Sequence, residues 1–490
     1  MKTVNSHIPS IFNDVVGPVM RGPSSSHSAA ALRIGLICRE LMQGTPGRVV
    51  VSYDTRDALA TTHESQGSDM GMKGGLLGFE PDDVHLLDPD PYLEEAGIDL
   101  SFRVTDTGYD LPNLYLVHLQ KGDLKMEVAA LSTGGGMIEI IRINNAQLSI
   151  KGDRKEELWF SATGELILQG PPPEGAVKRV ISPLLPTGSR DPVEVPFSNC
   201  RQMMQYNSKR DLSAWELAAV YESMRGGVEA EEVFHKMQEL CRVMRGAIDT
   251  GLKGTRFKDR ILGAQSAGYL KRLKAGGLAG GEAVHNITLY VSAIMEVKSS
   301  MGTIVAAPTA GSCGTFPGAV IGVADSLGLD EEQVVKALLA GSLTGLFIAT
   351  ASTFSAEIGG CQAECGSGSG MAAAAIAWML GGSVEQCMAA SSLALQNSLG
   401  MICDPIAARV EAPCLGRNIS SAVNALISAN IALAGYDHLI PLDEVIETMD
   451  RVGRSLPREL RCTALGGLAI TPAAKKIERS LKSQKSKGRC

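Results

Sequence analysis

The sequence is poor in aromatic side chains and carries no excess of positive charge. Phe, Tyr and Trp make up 4% of the 490 residues while Gly supplies 54, so we expect cores built by close contact of small side chains. The 46 basic residues are outnumbered by 53 acidic ones, which gives a net charge of −7. Binding to nucleic acid depends on a basic field. No nucleic-acid partner is therefore predicted.

Long apolar stretches are also missing from the sequence pattern. Runs such as the one near Val423 are shorter than the roughly 20 residues that a spanning helix needs, and they contain polar positions, so no membrane span is predicted. The first residues contain one Lys and no long apolar stretch, so no secretory signal is expected. The 11 cysteines are an odd number, which favours reduced thiols in a cytoplasmic protein over a disulfide framework.

The chain is too long for one ordinary domain, and its pattern changes along its length. Segments rich in β-branched residues predict strands in the front part, whereas a proline-rich stretch follows and apolar helical runs come after it. The sequence therefore predicts an α+β multidomain protein, with an N-terminal α/β domain and a mostly all-α C-terminal domain. The predicted parts are an α/β domain at 1–155, a linker at 156–200, an all-α domain at 201–475 and a tail at 476–490. Within the first part we predict strands at 48–54, 113–120 and 136–143 and a helix at 28–41.

Three helix starts in the second half carry a capping-box pattern, in which a short polar residue is followed three positions later by Glu or Gln. Ala- and Gly-rich helices such as GMAAAAIAWMLGG are expected to be buried on all sides. The predicted capping boxes are Ser213 with Glu216, Asp330 with Gln333, and Ser383 with Gln386.

Three cysteines stand in sharply marked local settings. Cys361 lies in EIGGCQAECGSGSG, and Cys403 and Cys414 lie in MICDPIAARVEAPCLGRN. Thiolates brought together from loops bind soft metals and hold iron–sulfur clusters. The ten residues between Cys403 and Cys414 are not typical of zinc fingers, but a structural zinc site stays open, as does a packing role for each cysteine. Cys365, Cys387 and Cys462 are predicted to be packing residues.

Hydroxyl- and glycine-rich turns supply further candidates. The turn at Thr309–Gly314 offers backbone N–H groups that suit an anionic group. Ser24, Ser25, Ser26 and His27 precede a predicted helix, where they serve either as caps or as a carboxylate cradle. The STGGG stretch from Ser132 ends a predicted strand and is either a tight turn or part of a site wall.

At these motifs the chain resembles the iron–sulfur-dependent L-serine dehydratases, in a single-chain form with fused β and α segments. The resemblance runs through both halves. The stretches that resemble the α segment are APTAGSCGTFPGA, GCQAECGSGSGMAAAA, CDPIAARVEAPCLGRN and VGRSLPRELRCTALGGLAITP, and those that resemble the β segment are GPSSSHS, SQGSDMGMKGGLLGF and STGGG.

The resemblance implies a 4Fe–4S cluster, and no pyridoxal phosphate, held by Cys361, Cys403 and Cys414 in the helical domain. It also implies that Cys490 occupies the fourth iron when substrate is absent. The implied reaction converts L-serine to pyruvate and ammonia, as in amino acid degradation, with iron as the Lewis acid. A small amino acid substrate and a homodimer are expected, with the α/β domain closing over the substrate.

The residue types in these motifs supply further expected site residues. The expected catalytic residues are His27, Ser25 and Ser26, with His27 as the first choice of general base and a Ser alkoxide or His63 as alternatives. The expected substrate-binding residues are Ser24, Gln66, Asp69, Ser132, Thr309, Ser312, Gly314, Arg417 and Asn418.

Two departures from the family pattern keep alternatives open. Gln66 stands where the family has a histidine, which His63 could replace, and Ala408-Arg409 stands where Gly-Leu is usual. A β-elimination enzyme acting on another β-hydroxy amino acid or on cysteine is one alternative. A non-enzymatic iron–sulfur redox sensor is a second.

Overall fold

A computed structural model describes residues 8–161, 164–167, 171–172, 174–189, 193–257 and 260–487. The chain forms two compact units. The sheet unit consists of residues 20–188, and the helical unit combines residues 8–19 with those from 189 onward. The α+β class predicted from the sequence is confirmed. A two-residue strand, β1 (Val19–Met20), lies at the boundary between the units.

The main sheet of the sheet unit has six strands in the order β3-β2-β4-β5-β6-β7. Only β2 and β3 are parallel, and the remaining pairs are antiparallel. All three strands predicted from β-branched patterns are present, as β2, β4 and β6. The strands are β2 (Arg48–Asp54), β3 (Asp99–Thr105), β4 (Leu114–Lys121), β5 (Leu124–Gly134), β6 (Met137–Ile143) and β7 (Ala146–Ile150).

Helices of the sheet unit pack closely through glycine. A Cβ at Gly35 would lie 2.9 Å from the carbonyl oxygen of Met72, so the first and third helices approach backbone to backbone. The helix predicted at 28–41 forms from Ala30, after a π-helical turn at Ser25–Ala29. The helices are α1 (Ala30–Leu41), α2 (Leu59–Thr62), α3 (Ser68–Leu77) and α4 (Asp90–Ala96).

The region predicted as a linker contains a second, three-stranded sheet. Its strands are β8 (Glu156–Phe160), β9 (Leu166–Ile167) and β10 (Val177–Ile181), in the order β10-β8-β9. Phe160, Leu166 and Ile181 are buried in the same hydrophobic core as the main sheet. Pro171 and Pro172 fall between β9 and β10, where a missing N–H removes no ladder hydrogen bond. Proline content therefore did not mark a domain boundary at 155, and the sheet unit continues to 188.

The N-terminal residues belong to the helical unit, not to the α/β domain in which the sequence prediction put them. Fully buried Glu222 accepts hydrogen bonds from the Ile11 amide at 2.8 Å and from the Ser10 hydroxyl. The Tyr221 hydroxyl donates to the Pro9 carbonyl at 3.0 Å. A carboxylate that satisfies an amide and a hydroxyl in the interior fixes this segment against the helices.

The helical unit is built around long, largely buried helices, and its three predicted capping boxes are confirmed. These capping boxes lie at the N-termini of helices α6, α11 and α14, whose bounds follow. The helices are α5 (Cys200–Asn207), α6 (Ala214–Gly226), α7 (Ala230–Lys253), α8 (Ser266–Lys274), α9 (Glu282–Ser299), α10 (Thr315–Leu327), α11 (Glu331–Ala351), α12 (Ala356–Gly359), α13 (Ser367–Met379), α14 (Val384–Gln396), α15 (Cys414–Leu433), α16 (Leu442–Ser455) and α17 (Pro472–Lys487), with a two-residue strand β11 (Ile304–Val305) between α9 and α10.

Small side chains bring α9 and α10 together, as the composition predicted. A Cβ at Gly318 would lie 2.9 Å from the Val291 amide nitrogen, and one at Gly322 would lie 2.8 Å from that of Ile287. Among the described residues, α11 has the length and apolarity to cross a membrane, and 78% of its most apolar stretch is buried inside the protein, as in a core helix.

The polar tail predicted at 476–490 is helical as far as residue 487, because α17 runs from Pro472 to Lys487. Cys490 lies outside the described residues.

Candidate metal centre and active site

Gly360 brings the chain around Cys361 against the chain that leads to Cys403. Its φ of 73° lies in the left-handed region, which favours glycine. A Cβ there would also lie 2.8 Å from the Met401 carbonyl oxygen. The Gln362 amide donates to that same carbonyl at 3.0 Å. This close approach juxtaposes two cysteines that lie far apart in the sequence.

The sulfurs of Cys361 and Cys403 and a carboxylate oxygen of Glu364 lie within 4.8 Å of one another. Cys361 is 1% and Cys403 is 3% exposed. Hydrogen bonds from the thiols of Cys365 and Cys403 hold the pKa of Cys361 well below its usual range. Donating this hydrogen bond to Cys361 raises the pKa of the Cys365 thiol well above its usual range. One sulfur is thus poised as a thiolate and is surrounded by thiols that donate to it.

Cys462 lies in this cluster, although the sequence indicated only a packing role for it and for Cys365. Its amide donates to the Cys403 carbonyl at 2.9 Å. A side-chain hydrogen bond with Cys361, followed by one with Cys462, raises the pKa of Cys403 well above its usual range. Cys387, by contrast, packs inside α14 with its sulfur 3.9 Å from the Gly382 carbonyl, as predicted.

Cys414 is the first residue of α15 and is 4% exposed. Burial raises its pKa, and the proximity of the Cys361 charge raises it further. The positive end of a helix stabilises negative charge at such a position. Three of the four predicted metal ligands therefore lie buried in one region of the helical unit, and the fourth, Cys490, is outside the described residues.

Arg417, one turn into α15, links the cysteines to a buried carboxylate. Its Nη1 lies 3.6 Å from the Cys361 sulfur, and its Nη2 lies 2.6 Å from Asp404. Asp404 also accepts from the Leu468 amide at 2.7 Å. Arg417 therefore neutralises a thiolate while Asp404 fixes its orientation.

Glu364 connects the cysteines to the predicted substrate turn. The Thr309 hydroxyl donates to Glu364 at 2.7 Å, and the Ser312 hydroxyl lies 3.1 Å from that of Thr309. Burial, and then the charge of Cys361, raises the pKa of Glu364 well above its usual range. Gly314 is not part of this chain of contacts, because its Cβ position faces Met295 at 2.9 Å in the α9 contact.

The side chain of Asn418 is occupied by protein groups. Its amide nitrogen donates to the Gly311 and Cys414 carbonyls, each at 2.9 Å, and lies 3.5 Å from the Cys365 sulfur. Its oxygen accepts from the amide and hydroxyl of Thr315. Asn418 thus holds α15, the turn at Thr309–Gly314 and α10 together around the cysteines.

The donor set fits a soft or borderline metal. Thiolates are the preferred ligands of such metals and of iron–sulfur clusters. Thiols are weak hydrogen-bond donors and acceptors, so a buried group of thiols makes only weak hydrogen bonds within itself when no metal is bound. The neighbouring thiols and the flanking guanidinium are compatible with a bound metal cluster.

The serine-rich turn of the sheet unit forms a separate buried group around His27, which is 1% exposed. Its Nε2 lies 2.9 Å from the Thr62 hydroxyl, which itself donates to the Ala58 carbonyl. The Nε2 atom is therefore the donor, and Nδ1 accepts from the Ser24 hydroxyl at 2.9 Å. Ser26 lies 3.4 Å from the same nitrogen. Ser25 is buried beside them.

Gln66 is completely buried, so the position where the family has histidine faces the interior of the sheet unit. Asp69, three residues on, orients His63 instead: its carboxylate lies 2.8 Å from Nδ1 of that ring. The Tyr53 ring stacks on His63 at 4.7 Å between centroids, and its hydroxyl donates to Asp69 at 3.2 Å. Sequence spacing did not indicate this pairing of His63 with Asp69.

Ser132 lies near the C-terminal end of β5 and is 3% exposed. Within the described part of the chain its hydroxyl has no hydrogen-bond partner, although its backbone amide donates to the Asn113 carbonyl at 3.1 Å. A buried hydroxyl without a partner is unusual in a native structure. This favours a ligand-binding role for Ser132.

The family model for the serine dehydratase alpha chain matches residues 198–469, more than half of the chain and all of the cysteine cluster described above. The chain belongs to the serine dehydratase alpha-chain family. The probable L-serine dehydratase alpha chain of Bacillus subtilis is 36% identical over 285 residues, 58% of this chain and 95% of that one. The L-serine dehydratase alpha chain of Peptoniphilus asaccharolyticus is 37% identical over 287 residues, 58% of this chain and 97% of that one.

Similarity to single-chain relatives also extends through the sheet unit. L-serine dehydratase 2 of Escherichia coli is 27% identical over 467 residues, which is 92% of this chain and 96% of that one. The serine dehydratase alpha-chain region therefore follows a front segment that those single-chain proteins share.

Proposed function

We propose that this chain is an iron–sulfur-dependent L-serine dehydratase, which converts L-serine to pyruvate and ammonia. The observation that carries the proposal is the buried convergence of Cys361 and Cys403 with Arg417 inside the region matched by the family model. The single-chain relatives named L-serine dehydratase, which align with 92% of this chain, support the substrate. A cluster of the 4Fe–4S type is the group we expect.

Cys361, Cys403 and Cys414 would hold the cluster, and we keep Cys490 as the proposed occupant of the fourth iron in the absence of substrate. When bound, such a cluster supplies Lewis-acid chemistry that assists departure of a β-hydroxyl group. Burial of all three described ligands at 4% exposure or less excludes water from their sulfurs. Hydrogen bonds from Cys365 and Cys403, and after them the guanidinium of Arg417, lower the pKa of the Cys361 thiol.

Thr309 and Ser312 are the proposed substrate contacts in the helical unit. Both hydroxyls are hydrogen-bonded in a chain that ends at Glu364, whose raised pKa favours a protonated carboxyl group. A neutral Glu364 would not repel the carboxylate of an amino acid substrate. Asn418 and Gly314 act in our proposal through position alone, since each is fully engaged by neighbouring elements.

His27 is the proposed base that removes the α-proton. Its Nδ1 lone pair points at the Ser24 hydroxyl, so a proton can be received directly or through that hydroxyl. The Thr62 hydroxyl would then stabilise the imidazolium by accepting from Nε2. The other predicted residues of the sheet unit, Ser25, Ser26, Gln66, Asp69 and Ser132, remain proposals that the same assay tests.

The decisive test is anaerobic purification followed by iron and sulfide analysis, an absorption spectrum and an ammonia-release assay before and after exposure to air. We expect a brown protein that deaminates L-serine and loses activity in air. A colourless, iron-free protein with full activity would overturn the proposal, as would bound zinc in place of iron.

Substrate identity needs a panel, because Gln66 and Arg409 depart from the family pattern. Ammonia release from L-threonine or L-cysteine that exceeds release from L-serine would favour the related β-elimination enzyme. Reversible reduction of a bound cluster without ammonia release from any amino acid would favour the redox sensor.

A further inference from the structure

The loop between two of the proposed ligands reaches a distant part of the chain through one buried carboxylate. We call residues 404–413, between Cys403 and Cys414, the ligand loop. Glu411 in this loop accepts from the Ile261 amide at 2.8 Å and the Leu262 amide at 2.7 Å. Its side chain also pairs with Arg260 at 3.2 Å, and both side chains are only 7% exposed. Residues 260–262 are thus held directly by the ligand loop.

A second buried carboxylate holds the next residues of the same segment. Glu296 on α9 is 1% exposed and accepts from the amides of Gln265 and Ser266, at 2.5 Å and 2.7 Å, and from the Ser266 hydroxyl at 2.8 Å. The segment 260–266 therefore has two anchors of the same chemical kind. Glu411 belongs to the ligand loop, whereas Glu296 belongs to a long helix.

Lys298, two residues after Glu296, links α9 to the ligand loop. Its side chain is completely buried, and its ammonium group donates to the Val410 carbonyl of the ligand loop. No carboxylate forms an ion pair with Lys298 among the described residues. The end of α9 is thus hydrogen-bonded to the ligand loop through Lys298 and to the segment 260–266 through Glu296.

We propose that Glu411 is a positioning residue that transmits metal occupancy at Cys403 and Cys414 to the order of residues 260–262. A bound metal fixes both ends of the ligand loop, which holds Glu411 where it can accept from the two amides. Without the metal, the loop regains conformational freedom, and the interaction is weakened because ordering the loop carries an entropy cost. Glu296 lies on the long helix α9 and not on the ligand loop, so its hydrogen bonds to residues 265 and 266 should depend less on metal than those of Glu411.

The test is amide hydrogen exchange on the full-length chain, with and without a reconstituted iron–sulfur cluster. We expect exchange in peptides covering 260–262 to slow at least about tenfold on reconstitution, the scale of one hydrogen bond to a charged group. Peptides covering 265–266 should change little, and α11 and α13 serve as references for intact folding. Equal exchange at 260–262 in both forms would overturn the proposal without any mutation.

Two matched variants separate positioning from general stability. Glu411→Gln should abolish the metal dependence of exchange at 260–262 and speed the loss of iron to a chelator. Glu296→Gln should speed exchange at 265–266 in both forms yet preserve the metal dependence at 260–262. Metal-dependent protection that survives in Glu411→Gln would contradict the assignment.

The inference rests on the metal centre of the proposed function, and the measurements distinguish the two. Iron and sulfide content is determined first on each sample. A chain that takes up no metal removes both proposals. A chain that binds its cluster and deaminates L-serine, but shows no change at 260–262, removes only the role of Glu411.

Discussion

The histidine group of the sheet unit and the cysteine group of the helical unit differ in how fully their polar atoms are hydrogen-bonded within the protein. In the sheet unit, each ring nitrogen of His27 has a hydroxyl partner at 2.9 Å, so that group is complete without a ligand. In the helical unit, the pKa of Cys361 is held well below its usual range by hydrogen bonds from two neighbouring thiols, and a guanidinium lies 3.6 Å from its sulfur. Hydroxyls and imidazole pair well with one another, whereas thiols do so weakly.

This difference shows which group needs something from outside the chain. The cysteines gain most from a metal, since it replaces weak sulfur contacts with strong bonds. His27 already has a hydroxyl partner at each ring nitrogen, and its proposed role is proton transfer. The following predictions test this contrast, from the largest expected effect to the smallest.

Replacing a proposed ligand should have the largest effect. Cys403→Ser should leave a protein that binds little iron and whose ammonia release falls to background, because one proposed sulfur ligand is lost from the cysteine group. Iron content and the absorption spectrum measure the first effect. Cys387→Ser, which changes a cysteine packed in α14, should keep both iron and turnover. Full iron content in Cys403→Ser would contradict the proposal that the cysteine group binds the metal.

His27→Asn should lower kcat by about 10²- to 10⁴-fold, the usual contribution of a general base, while the iron content stays unchanged. Asn retains a polar atom near the position of Nδ1 but cannot take up the proton. His85→Asn alters an exposed histidine that pairs with nearby Asp83 and contacts the rings of Phe79 and Tyr92, and it should keep wild-type turnover. If His63→Asn loses turnover and His27→Asn does not, the base belongs to the Asp69 pair.

Arg417→Gln should weaken iron retention by about 10- to 100-fold, the range typical for residues that orient metal ligands. Loss of iron to a chelator measures this. Arg417→Lys keeps the charge without the two-sided geometry between Cys361 and Asp404, so an intermediate loss is expected. Arg454→Gln removes an exposed ion pair with Asp450 and should retain iron normally.

The smallest effect is expected at a helix cap far from either group. Ser383→Ala should destabilise the helical unit by about 1 kcal/mol, because the Gln386 amide loses its side-chain acceptor at the start of α14. Urea unfolding followed by circular dichroism measures the change. Ser383→Asp keeps an acceptor and should restore most of the stability. Turnover of folded protein should be equal in all three proteins.

Local features were the ones that the sequence predicted well. The strand at 48–54 and the capping boxes at Ser213, Asp330 and Ser383 depend on residues a few positions apart, and all are present. The proximity of Cys361 and Cys403 could be anticipated only through a family resemblance, since 41 residues, 362–402, lie between them in the sequence. Their approach depends on Gly360 packing against the Met401 carbonyl, which no local pattern specifies.

Features built from distant residues were missed for the same reason. Cys462 joins Cys403 through backbone bonds across the chain, and Glu411 captures amides 149 and 150 positions away. The burial of Gln66 and the orientation of His63 by Asp69 depend on how α2 and α3 turn, which residue spacing does not determine. The prediction of a linker at 156–200 from its proline content was wrong, because strands β8, β9 and β10 lie within this stretch.

The N-terminal segment has a consequence for how the chain is made. Ser10 must wait for Glu222, 212 positions later, before its hydroxyl finds the carboxylate. During synthesis residues 20–188 emerge from the ribosome before Glu222 does. Until α6 has emerged, Ser10 and Ile11 therefore lack the carboxylate that anchors them in the finished protein.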